Sequence, residues 1–266
     1  MFAILFTSCS GNTVSNKPGG SDASVKNEVN SSGEPVELNV WAATGIKKAI
    51  LEIAPAFEKE NGVKMVFNFA SSGDLQTQIE QGAPADLFIS AGKKQIKALD
   101  EKQLLIKDSI KNLAGNDLVI AAPQNSNLTI NKLEELATLG ADKKIAMGNP
   151  DQVPAGKYAI QSLQKAGIWE KVQPKVIYAK DVRQISSYID SGNVDIGVFY
   201  KSDLKVGKNV KTLLLVPDSY HDPIIFTGAV VKSGKQQALA SKFISFVLSD
   251  RAQQILKDNG FNSISK

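Results

Sequence analysis

The chain has one cysteine, Cys9, and one histidine, His221, among its 266 residues. A lone cysteine excludes an intrachain disulfide. A lone histidine leaves almost nothing from which to build a zinc site or a histidine-based triad. Arginine is nearly as scarce, with only Arg183 and Arg251. Carboxylate binders usually place an arginine in the cleft, and Arg183 keeps that possibility open. No stretch approaches the ~20 apolar residues of a membrane span. Net charge is +4, with lysines spread along the chain rather than interleaved with aromatics, which argues against nucleic acid. Enzyme motifs are missing as well. There is no G-x-S-x-G. Gly228 to Lys235 approximates a P-loop, but the spacing is one residue too long and Gln236 replaces Ser/Thr. Ser202–Lys205 and Ser263–Lys266 fit S-x-x-K without an accompanying K-T-G. His221, in the polar segment PDSYHDP, reads as solvated, and Trp41 and Trp169 read as core or cleft-wall residues. No cofactor is implied.

What is present is an ordinary globular composition, 42% hydrophobic and 22% charged. The start, MFAILFTS followed by Cys9, has the short apolar run and small residues that precede a lipidated cysteine, although the first lysine is Lys17 and a basic leader is missing. The segment that follows is rich in Ser, Asn, Gly and Pro. It cannot bury enough apolar surface to fold and reads as a tether. The expectation is a chain held on the extracytoplasmic face of the cell membrane by a lipid at Cys9.

From Glu37 onward, strand patterns alternate with helix patterns, which argues an α/β protein with mainly parallel sheets. Helices are expected after Gly45, where Pro55 should kink or split the first one, and over 74–81, 93–101, 130–139, 157–166, 182–189 and 236–258. About ten strands exceed one comfortable sheet for a chain of this length, so two α/β lobes with a cleft between them fit better. Residues 1–35 form the leader and tether, 36–118 with 224–266 the first lobe, and 119–223 the second. The strands Asp117–Ala122 and Ile224–Val231 are the expected crossings.

Four strand-to-helix junctions share one character: Ala43-Thr44-Gly45, Ala70-Ser71-Ser72-Gly73, Val153-Pro154-Ala155-Gly156 and Ala179-Lys180-Asp181-Val182. Each sets small or hydroxyl residues at a helix start, where orphan N–H groups and the positive dipole end favour an anion. A small capping residue at one such turn is normal, so only the joint pattern carries weight. Converging, the four would hold an anion with neutral donors, which avoids leaving a buried cation in the empty site. Tyr200, following the apolar strand DIGVF, could add a hydroxyl.

The segments VWAATGIKKAILEIAPAFEKENGV, FNFASSGDLQTQIEQGAPADLFISA, MGNPDQVPAGKYAIQSLQKAGIW and DVRQISSYIDSGNVDIGVFYKSD together resemble the molybdate-binding protein of an ABC importer, over residues 36–262. The resemblance implies a two-lobed periplasmic-binding-protein type II fold that binds molybdate or tungstate between its lobes. It further implies a monomer that hands the anion to a membrane permease and is not an enzyme. By motif position, the implied contacts are the Ser72 hydroxyl and amide, the backbone N–H groups of Ala155 and Val182, and the Tyr200 hydroxyl. In the first loop the family commonly has a serine where this chain has Gly45. Either Thr44 supplies the hydroxyl there or Gly45 offers only its amide. The same fold with another anion, such as sulfate, phosphate or a carboxylate, is the alternative.

Overall fold

The computed structural model describes residues 35–207 and 209–264, so Cys9 and the tether lie outside the described residues. Two five-stranded sheets organise the rest. The first half opens with β1 (Glu37–Ala43), α1 (Lys47–Asn61), β2 (Lys64–Ala70), α2 (Ser72–Glu80), β3 (Leu87–Ser90), α3 (Lys93–Glu101) and β4 (Lys111–Asn116). The chain then crosses at Asp117 into β5 (Leu118–Pro123), β6 (Ile145–Gly148), α4 (Pro154–Lys165), α5 (Trp169–Val172), β7 (Val176–Ala179), α6 (Val182–Asp190), β8 (Ile196–Tyr200) and β9 (Val210–Leu215). It returns as β10 (Ile224–Val230) and closes with α7 (Gln237–Val247) and α8 (Asp250–Asp258). The strand orders are β2-β1-β3-β10-β4 and β7-β6-β8-β5-β9.

The sheets are mixed, not mainly parallel as expected. In the first, β10 runs antiparallel to both β3 and β4; in the second, β5 runs antiparallel to both β8 and β9. These are the strands by which the chain enters each sheet from the other half, so their direction is set by the crossing rather than by a helical crossover. The all-apolar β5 (LVIAA) is buried between two neighbours, as its composition suggests.

Local structure departs from expectation at four places. Pro55 leaves α1 continuous. Pro55 and Leu51, whose carbonyl the ring displaces, both lie on the exposed side, where that carbonyl can turn to water. The long C-terminal helix is two, because Ser249 leaves the helix in extended backbone and its hydroxyl caps α8 through the Ala252 N–H at 3.4 Å. Residues 130–139 make only a short 3₁₀ turn, Leu133–Thr138. His221 is buried, not solvated: its ring packs edge-on against Tyr158 and its Nε2 has no partner. The P-loop-like segment is the end of β10 and a turn, where Asp86 already accepts from the backbone N–H groups of Gln236 and Asn39. Among the described residues, no helix is long and apolar enough to cross a membrane.

Candidate functional site

The parallel strands of each sheet end together. In the first sheet Ala43 pairs with Ala70, and Ala42 with Ile89, so the turns that open α1 and α2 lie beside the end of β3. In the second, Gly148 pairs with Ala179, so the turns that open α4 and α6 are likewise adjacent. Carboxyl ends of parallel strands are where such folds place ligands. Here the two sets of ends face each other.

Three contacts join the halves at this point. The Gly73 N–H donates to the Gln152 carbonyl at 2.8 Å. The Tyr200 hydroxyl, at the end of β8, donates to the Ala91 carbonyl at 3.3 Å. Gly45 faces the other half, where a Cβ on it would make ordinary contact, 3.4 Å from the Tyr200 ring and 3.7 Å from the Val182 side chain. The expected residues Thr44, Ser72, Ala155, Val182 and Tyr200 are all buried, and Gly45 partly so.

Ser71 and Ser72 divide the labour at α2. Ser71 is the N-cap, its hydroxyl accepting from the Asp74 N–H at 3.1 Å. Ser72 is turned inward, and its hydroxyl accepts from the Ala91 N–H at 3.0 Å. An oxygen that accepts from a backbone amide still has its own hydrogen to give, so Ser72 is held as a donor. Asp181 caps α6 by accepting from the Gln184 N–H at 2.9 Å. By contrast α4 starts at Pro154 with no side-chain cap; the Gly156 and Lys157 N–H groups donate to the Val153 carbonyl, which leaves that of Ala155 for another acceptor.

No charged side chain belongs to this set. Tyr200 is fully buried, and burial holds its hydroxyl well above the usual phenol range, with the Tyr158 and Asp203 charges acting the same way. It is therefore a neutral donor at any physiological pH. Behind it, Asp203 is buried and accepts from the Tyr200 N–H at 3.3 Å. Burial pushes its carboxyl up to about 8; the Tyr200 hydrogen bond and Arg183 pull it down, and Asp181 pushes it up. The Nε of Arg183 is buried without a partner. Among the described residues there is no His/Cys/Asp/Glu group that could hold a metal ion. The arrangement offers hydrogen-bond donors from both halves beside the seam, which suits the binding of an anion.

Sequence reasoning missed Ala91, Gln152 and Asp203. Ala91 was accessible, since it follows the buried strand β3 at its carboxyl end. Asp203 lies three residues past Tyr200, the spacing of a residue that reaches back to a turn's first N–H. Gln152 contributes a backbone carbonyl, for which no side-chain signal exists.

Known proteins resemble this chain in sequence and in fold. The family described as bacterial extracellular solute-binding protein matches residues 38–262. YvgL of Bacillus subtilis (strain 168), provisionally named an ABC transporter substrate-binding lipoprotein, is 39% identical over 87% of this chain and 88% of its own length. The molybdate-binding protein ModA of Haemophilus influenzae is 37% identical, covering 85% of this chain and 90% of that protein. The periplasmic molybdate-binding protein of Azotobacter vinelandii superposes with a TM-score of 0.77 at 27% identity, over 86% of this chain and all of that one.

Proposed function

The chain belongs to the bacterial extracellular solute-binding proteins, a family of transport receptors rather than enzymes, and from that premise we propose that it captures molybdate or tungstate and delivers it to an ABC permease. The observation that carries this reading is the convergence of helix starts from both sheets across a seam held by the Gly73–Gln152 and Tyr200–Ala91 hydrogen bonds. The ligand contacts are the Ser72 hydroxyl and amide, the N–H groups of Ala155 and Val182, the Tyr200 hydroxyl, and Thr44 or the Gly45 amide. The anion is held through its oxygens, with no direct protein ligand to the metal and no cofactor.

The closing units are residues 36–118 with 224–266, and 119–223. Hinge closure brings the two donor sets onto one tetrahedral dianion, and the ligand favours the closed state by its differential affinity. Donors spaced for long metal–oxygen bonds grip the smaller sulfate poorly. A set without a carboxylate acceptor offers nothing to the proton of hydrogen phosphate. The receptor works as a monomer on the outer face of the membrane, anchored by a lipid at Cys9. The test is mass-spectrometric metal analysis of the protein as purified, followed by competition between the two oxyanions. Bound molybdenum or tungsten that sulfate does not displace supports the reading; sulfate displacing either at equal concentration refutes it.

A second reading, a carboxylate ligand, draws on the buried and unpaired Nε of Arg183. It predicts that Arg183→Gln abolishes binding, whereas the oxyanion reading predicts that molybdate affinity survives that change.

A further inference from the structure

A cavity of about 260 Å³ lies on the same seam, outside the donor set. One wall is the start of α3 (Gly92, Lys93, Lys94, Gln95); the other is the start of α4 with its approach (Pro150, Pro154, Lys157, Tyr158); Asp222 and Pro223 close the rim. Both helices direct their positive ends here, and neither has an acidic residue in its first turn. Lysines at a helix N-terminus are unfavourable unless something negative joins them. Three stand here, Lys93, Lys94 and Lys157, all exposed, against the single carboxylate of Asp222.

A second observation is independent of the helix ends. Gln95 lines the cavity yet is only 3% exposed, and its Oε1 is buried with no donor. Such an orphan is costly unless a ligand or its water supplies the partner. Tyr158, also buried, contributes a hydroxyl that stays protonated, since burial and Asp222 push it up to about 12.

The cavity adjoins the inner site. Gly92 follows Ala91, which bonds both Ser72 and Tyr200, and Pro154 precedes Ala155. A Cβ on Gly92 would lie 2.9 Å from the Pro154 Cβ, so in the closed form these two residues meet across the seam. On the hinge closure of the oxyanion reading above, parting of the lobes would open that contact and join cavity and inner site in one trough.

We propose that this cavity is an outer anion subsite, where the still-hydrated oxyanion is captured by Lys93, Lys94 and Lys157 before closure passes it inward. Waters of the hydrated anion donate to Gln95 Oε1 while its oxygens accept from the lysines. The inference rests on the oxyanion reading above.

The test is stopped-flow tryptophan fluorescence of the full chain mixed with sodium molybdate. In the wild type the observed rate should saturate with molybdate concentration. In K93Q/K94Q/K157Q the half-saturating concentration should rise about tenfold, of the order seen for electrostatic focusing, with the limiting rate and the dissociation rate unchanged. Asp222→Asn should shift the half-saturating concentration the opposite way. Association indifferent to the three lysines, or a loss confined to the dissociation rate, overturns the subsite while leaving the inner site standing. No binding by the wild type overturns both.

Discussion

Gly73→Ala separates closure from folding. Gly73 lies in the first turn of α2, where alanine is the better residue, by up to about 1 kcal/mol. Yet its N–H donates across the seam, and an added Cβ would stand 2.6 Å from the Gln152 Cα and 2.9 Å from the Gln152 carbonyl oxygen. Carbon atoms in contact sit about 3.5–4.0 Å apart, so the loop bearing Gln152 must withdraw by about 1 Å. That stretches the 2.8 Å hydrogen bond out of range, at about 0.5–1.5 kcal/mol. Overpacking against backbone adds about 1–3 kcal/mol. Together these give a loss of at least about 1.5 kcal/mol, more than tenfold in Kd. The penalty falls only on the closed form. The variant should therefore bind molybdate more than tenfold more weakly in calorimetry, with a ligand-free melting temperature equal to or a few degrees above wild type. A Kd within twofold of wild type would refute the closure account. So would a ligand-free stability loss as large as the binding loss, which would make the contact part of the fold.

The other expectations are narrower. Ser72→Ala removes a donor to a charged ligand and should weaken molybdate binding by about 1–3 kcal/mol; unchanged affinity takes Ser72 out of the site. Thr44→Val keeps the shape of the side chain. It should cost a similar amount if the hydroxyl makes the first-loop contact, and nothing if only the Gly45 amide does. Tyr200→Phe keeps the ring packed against Phe226 but deletes the bond to Ala91, so affinity should fall while the thermal midpoint holds within a few degrees. For Asp203, folding raises the carboxyl pKa from the ordinary range to about 8. The native state then holds a proton that the unfolded chain has released. Stability should be full below about pH 4, decline as pH rises toward 8, and level off above it, with a slope of at most about 1.4 kcal/mol per pH unit. Denaturant titrations across that range should show the decline in wild type and its loss in Asp203→Asn.

The parts of this molecule that were legible were those written in side-chain type. The turn Ser71-Ser72 reads as a helix start because hydroxyls cap helices, and the structure assigns the cap to Ser71. The apolar run of β5 reads as a central strand. The α/β alternation reads as two sheets. What was hidden depends on tertiary context. The direction of β5 and β10 follows from the crossing between halves, which leaves no local signature. Pro55 is tolerated because of the face it occupies. His221 sits in a polar segment whose neighbours are mostly exposed, yet it is buried with its ring against Tyr158. Asp203 looks like a surface acid in YKSD, and its burial behind Tyr200 is a property of the folded junction.

The central claim is that neutral donors from both halves close on a tetrahedral oxyanion of a heavy metal. Isothermal titration of the soluble chain from Pro35 with molybdate, tungstate, sulfate and phosphate tests it most directly. The account predicts tight one-to-one binding of molybdate or tungstate, with sulfate and phosphate weaker by at least two orders of magnitude. Tight sulfate binding with no molybdate heat would contradict it.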